Sequence, residues 1–186
     1  MNNRREFLEA NVRFTHQALV EQSKEGNRTA QYQLYGLYVD AMFNVAMRLL
    51  TIREDAEDII QESFVEAFKK LDSFRFDSTF GAWLKRIVIN KSINHLKTKR
   101  LMLSSLENEG EPSEDVEIED ATSMDIEKIK LGLSQLPEGY KQIITLYLIE
   151  GYDHVEIAEI LGITNSTSKS QYHRAKKKLV QIVNEL

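Results

Sequence analysis

Apolar residues recur along most of this chain at the spacing of an α-helix, and no stretch alternates with the period of two that a half-buried strand needs. Between Thr29 and Leu50, residues Tyr32, Leu34, Tyr35, Leu37, Tyr38, Met42, Phe43, Val45, Ala46 and Leu49 form an apolar surface too broad for a lone amphipathic helix. A second helix is predicted from Glu54 to Leu71, with Ala56, Ile59, Ile60, Phe64, Ala67 and Phe68 on its inner face. A third runs from Thr79 to about Arg100 and carries Phe80, Trp83, Leu84, Ile87, Val88 and Ile93. The loop Asp72 to Ser78 between them holds Phe74 and Phe76. Ahead of these elements lies a charged lead-in, residues 1–26, partly helical from Phe14 to Lys24 and ending at Gly26-Asn27.

The pattern breaks after Leu101 and resumes near Ser123. In the tail, EIAEILGI is an apolar-periodic helix that stops at Gly162, a residue able to take the left-handed conformation of a helix stop. Ala158 is small where two helices must cross, and Thr164 offers a hydroxyl N-cap to the next helix. The predicted fold is therefore all-α. Two small helical domains, residues 27–100 and 124–186, are joined by a flexible linker over 101–123.

Composition fits that picture. The 186 residues include only 2 Pro and 8 Gly, which favours helix, and the absence of Cys excludes disulfides and thiolate chemistry. No apolar run reaches the length of a membrane span, and the first residues lack the apolar core of a secretory signal, so a soluble cytoplasmic protein is expected. The net charge of −5 changes meaning once it is located. Glu107, Glu109, Glu111, Glu114, Asp115, Glu117, Glu119, Asp120, Asp125 and Glu127 all fall in a stretch without Lys or Arg. Removing those ten leaves 19 acids against 24 bases, so the remainder is +5. Phosphate affinity follows local basic surface, not the total.

Two helices carry that basic surface. The last one presents Lys169, Arg174, Lys176, Lys177 and Lys178 with no acid before Glu185, as a major-groove reader does. The third helix has no acid from Thr79 to Arg100. Its Arg86, Asn90, Asn94 and Lys97 share one face, where Asn can pair with base edges and the cations with phosphates. Phe74 and Phe76 beside Arg75 offer aromatic faces to an unstacked base. The second helix is acidic instead. Dipole complementation accounts for acids in its first turn but not for Glu62 and Glu66, and the face suits a basic protein groove.

In REDAEDIIQESFVEAFKKLDSFRFDSTFGAWLKRIVINKSINHLK, Arg53 to Lys97, the segments DAEDIIQE, LDSF and F-x-x-W-L-x-R-I-x-x-N resemble region 2 of the bacterial sigma-70 family. The tail from Leu136, with LPE, EIAEILGI and KS-x-x-x-RAKKKL in register, resembles region 4 of the same family. The likeness is strongest to the small extracytoplasmic-function group and spans about Thr29 to Leu186. It implies a promoter-specificity subunit of RNA polymerase whose partners are core polymerase and promoter DNA, with no cofactor and no metal. By that resemblance Asp55, Asp58, Gln61 and Glu62 dock on the polymerase clamp. Phe74, Arg75, Arg86, Asn90, Lys91, Asn94 and Lys97 would melt and hold the minus-10 element. Thr167, Lys169, Ser170, Gln171, His173, Arg174 and Lys177 would read the minus-35 duplex, and the acidic segment would thread the polymerase's basic channels. Many members of the group are held inactive by an anti-sigma factor, which makes such a protein a candidate partner.

Three positions depart from the family pattern. Ser168 sits where Val commonly packs, Gln171 where Arg is frequent, and Phe76 where a small residue is usual. A Gln at 171 can read adenine bidentately or face solvent. Other classes fit less well. A stand-alone helix-turn-helix regulator with an N-terminal sensor or dimerisation domain has no need of a basic helix and aromatic loop in that domain. An enzyme is not expected: His16, His95, His154 and His173 are scattered, and there is no glycine-rich phosphate loop or nucleophile elbow. His154 and Glu156 read as surface residues, and His173 as a DNA-facing donor.

Overall fold

A computed structural model of the chain describes residues 16–104 and 126–186, which contain eight α-helices and no strand. Residues 1–15 and most of the predicted acidic linker lie outside the described residues. The chain divides into two compact units after Leu96.

In the first unit α1 is Gln17–Lys24, α2 Arg28–Leu49 and α3 Arg53–Lys69, and α4, Phe80–Ser104, starts there and runs past the boundary. Their ends follow local chemistry. The Asn27 side chain accepts from the Thr29 and Ala30 amides, so α2 starts one residue before the apolar pattern does. α3 stops at Lys69, short of Leu71, because the chain tightens into a 3-10 turn over Leu71–Ser73. That turn sends Leu71 and Phe74 into the core. Thr79 caps α4 by accepting the Ala82 amide at 3.1 Å. With no Gly or Pro between Ala82 and Ser104 to break it, α4 continues to Ser104, four residues into the stretch that the sequence assigns to the linker.

The core of this unit joins all four helices: Val20, Leu34, Ala46, Leu49, Ala56, Phe64, Ala67, Phe80, Leu84, Val88, Ile89 and Ile93 are 3% exposed or less. Each large apolar side chain so buried contributes about 1.5–3 kcal/mol. Tyr38 of α2 passes over α4 at Gly81, where a Cβ would stand 2.8 Å from Tyr38 Cε1. The Tyr38 ring meets Phe80 edge-on, its hydroxyl lies 3.0 Å from His16 Nδ1, and burial raises its pKa.

The second unit contains α5 (Ile126–Gln135), α6 (Glu138–Ile144), a π-helical turn (Thr145–Ile149), α7 (His154–Leu161) and α8 (Asn165–Glu185). Its core gathers Leu136, Ile144, Ala175 and Ile182, with Leu133, Tyr140, Tyr172 and Leu179 packed around them. α5 crosses α8 at Gly132, where an added Cβ would fall 2.7 Å from Val183 Cγ2 and 3.0 Å from Leu179 Cδ1. Only a bare backbone allows that approach.

Candidate nucleic-acid and polymerase interfaces

The helix-turn-helix is built as its residues dictate. Asp153 and Glu156 form a capping box: the Asp153 carboxylate accepts from the Val155 and Glu156 amides, and Glu156 accepts from the Asp153 amide at 2.9 Å. Gly162 closes α7 in the left-handed region at φ 71. The Thr164 hydroxyl then accepts the Thr167 amide at 3.1 Å and opens α8. On α8, Lys169, Ser170, His173 and Arg174 are exposed and share a face, while Thr167, Gln171 and Lys177 are half-buried at its margin. Thr167 is partly committed to the cap, its hydroxyl lying 2.7 Å from that of Thr164.

Ser168, by contrast, is fully buried, and its hydroxyl lies 3.0 Å from His154 Nδ1. The His154 ring stacks on Tyr147 with centroids 4.6 Å apart and meets Tyr172 edge-on. His154 and Glu156 are therefore not idle surface residues, as the sequence suggests. One ties α7 to α8 and the other caps α7. The D-x-x-E spacing could have revealed the second, whereas nothing local announces the first.

The remaining predicted nucleic-acid residues lie on the loop after α3 and on α4. Arg75, Asn90, Asn94 and Lys97 are exposed and Arg86 half-buried, so the predicted face is intact. Phe74 is not an exposed aromatic. It is 3% exposed, packed against Phe80 and Trp83 with centroids 6.0 and 5.2 Å away. Phe76 is the half-exposed member of the pair, lying 4.8 Å from the Phe74 ring, and its backbone occupies the left-handed region at φ 59. Aromatic residues seldom adopt that conformation.

Lys91 is also placed differently from its expected DNA role. It is drawn into α3, with Nζ 3.2 Å from Glu62 and 3.1 Å from Glu66, and its side chain is 23% exposed. Burial alone would lower its pKa, but the two carboxylates outweigh that and raise it. Glu66 is held below its ordinary value by the hydrogen bonds from Lys70 and Lys91. The two acids that dipole complementation leaves over thus have intramolecular partners. Asp55 turns inward as well, its carboxylate lying 3.2 Å from His95 Nε2. The outward face of α3 is Glu54, Glu57, Asp58, Gln61 and Glu62, beside Val65. Among the described residues no cluster of metal-ligating side chains occurs, and no helix is long and apolar enough to cross a membrane.

An acidic helix packed on a basic one, with a separate helix-turn-helix, is the organisation of a promoter-recognition subunit. Residues 34–101 match Sigma-70 region 2, and residues 126–179 match Sigma-70, region 4. The chain is 31% identical to the ECF RNA polymerase sigma-E factor of Haemophilus influenzae, covering 88% of this chain and 92% of that one. It is 29% identical to the ECF RNA polymerase sigma factor SigW of Bacillus subtilis, over 90% of this chain and 96% of the relative. The structure resembles the sigma factor RpoE of Bartonella quintana, solved in complex with the anti-sigma factor NepR. The TM-score is 0.56 and the identity 25%, covering 82% of this chain and 96% of that one. The chain belongs to the extracytoplasmic-function group of sigma-70 factors, alternative sigma factors that direct RNA polymerase to promoters.

Proposed function

We infer that three exposed surfaces of this sigma factor divide the work of initiation. The outer face of α3, centred on Asp58, Gln61 and Glu62, docks on a basic groove of core RNA polymerase. Phe76, Arg75, Arg86, Asn90, Asn94 and Lys97 take up the unpaired minus-10 strand: the aromatic ring stacks a base, the amides meet base edges and the cations bind phosphates. Lys169, Ser170, Gln171, His173, Arg174 and Lys177 read the minus-35 duplex, with Thr167 at the helix start. Asp55, Lys91 and Phe74 support these surfaces from within. The protein works in the cytoplasm and has no catalytic role. An anti-sigma factor is a candidate further partner, since the similar sigma factor of Bartonella quintana is seen bound to one.

The observation that carries this reading is the presence of an acidic and a basic, asparagine-bearing helix face on one unit, beside a separate helix-turn-helix. A stand-alone regulator needs only the last. In transcription from a promoter with both elements, reconstituted from core polymerase, Arg174→Ala should weaken recruitment through the minus-35 duplex. The loss of one base contact is worth about 1–3 kcal/mol. Asn90→Ala should leave recruitment intact and slow strand opening. Equal losses in both steps for both variants would contradict the division of labour.

A further inference from the structure

The short N-terminal helix α1 lies outside every surface described so far, yet it reaches the minus-10 loop. Lys24, in its last turn, donates from Nζ to the Phe74 carbonyl at 2.6 Å. The same ammonium stands 5.1 Å from the Phe76 ring centroid and 5.9 Å from that of Phe74, within cation–π range. α1 is itself pinned in place. Val20 is fully buried, Gln31 donates to the Ser23 carbonyl at 3.2 Å, and His16 meets the Tyr38 hydroxyl at 3.0 Å.

We propose that Lys24 is a positioning residue for promoter opening, holding the Arg75–Phe76 turn in the conformation that receives an unpaired base. The loop has an inner and an outer half. Phe74 anchors the inner half through Phe80 and Trp83. The outer half contains Phe76 at φ 59, a conformation that persists only where its surroundings over-determine it. Among the described residues Lys24 supplies the polar contact that does so. It satisfies the carbonyl just before the turn and places a cation near the Phe76 ring. Holding the turn before DNA arrives removes the ordering cost from the capture step.

The inference rests on the minus-10 assignment above, and the test separates the two. Holoenzyme is assembled from core polymerase and the full chain, and 2-aminopurine at the captured minus-10 position reports unstacking, normalised to polymerase-bound subunit. Lys24→Met, which keeps the stem and loses the charge and the donor, should reduce the capture equilibrium about tenfold, the usual worth of one hydrogen bond to a charged group. Lys24→Arg should restore most of it, and binding to a duplex bearing only the minus-35 element should be unchanged. Capture by Lys24→Met equal to wild type overturns the proposal, as does a matching loss on the minus-35 duplex. A wild-type holoenzyme that gives no unstacking signal overturns the minus-10 assignment itself, and this proposal with it.

Discussion

Ser168 stands where the family commonly packs a valine, and the reason lies fourteen positions back in the chain. Its buried hydroxyl is matched to His154, whose ring stacks on Tyr147 and meets Tyr172 edge-on. A buried hydrogen-bonding group that loses its partner costs about 1–3 kcal/mol, somewhat less where the ring retains access to water. Ser168→Ala should accordingly lower the stability of the helix-turn-helix unit by about 1 kcal/mol in a urea melt followed by circular dichroism. An unchanged melt would mean that His154 is satisfied without the hydroxyl. In the sequence Ser168 is a departure without a visible cause, because its partner is set by how α7 and α8 cross. Gly162 and Thr164 were legible in advance for the opposite reason. A left-handed helix stop and an N-cap are local chemistry, complete within a few residues.

Between elements, the contact of α3 with α4 combines packing and charge. Ile60 and Phe64 are buried on the inner side of α3, and Lys91 reaches across from α4 to Glu62 and Glu66. Glu66 titrates below its ordinary value of 4.5, first because Lys70 and Lys91 donate to it and despite partial burial. A carboxyl whose folded pKa is depressed adds stability that is complete above the unfolded value and is lost as pH falls through the folded one. Lys91, shifted upward, contributes below its ordinary 10.5 and loses that contribution as pH rises through its folded value, so at neutral pH both groups are in place. The first unit should therefore weaken as pH drops below about 4.5, the ordinary glutamate value. Lys91→Met should make that acid limb shallower, by about 1 kcal/mol or less for so exposed a pair. Denaturant melts followed by the single tryptophan, Trp83, across acid pH would measure it. An identical limb in the variant would show that Lys91 contributes nothing to the linkage.

At the scale of the whole molecule, charge is segregated along the chain. Ten acids between Glu107 and Glu127 offset a remainder of +5 to give −5. Long-range repulsion from that segment opposes binding of the free protein to any duplex, and salt screens it over about 10 Å at moderate ionic strength. Replacing those ten acids with Gln and Asn should raise the affinity of the free chain for a non-promoter duplex at low salt. The gain should shrink as salt is added, as seen by fluorescence anisotropy. An affinity that does not move would mean that the basic faces of α4 and α8 are limited by their own size.

The sequence by itself determined the helices, both basic faces, the acidic face and the family, because helical periodicity, caps and charge sign are properties of neighbours in the chain. It ended α3 two residues late and α4 four residues early, since those ends depend on a 3-10 turn and on the absence of a breaker. Only the tertiary structure decided which members of each face look outward. Phe74 and Phe76 are two residues apart and equally aromatic, yet one is core and the other half-exposed. Lys91 sits one residue from the exposed Asn90 and is held by α3. Lys24 reaches the Phe74 carbonyl fifty residues away with no local signal at all. Burial and long-range pairing are set by how helices pack, and a chain read one segment at a time does not contain that.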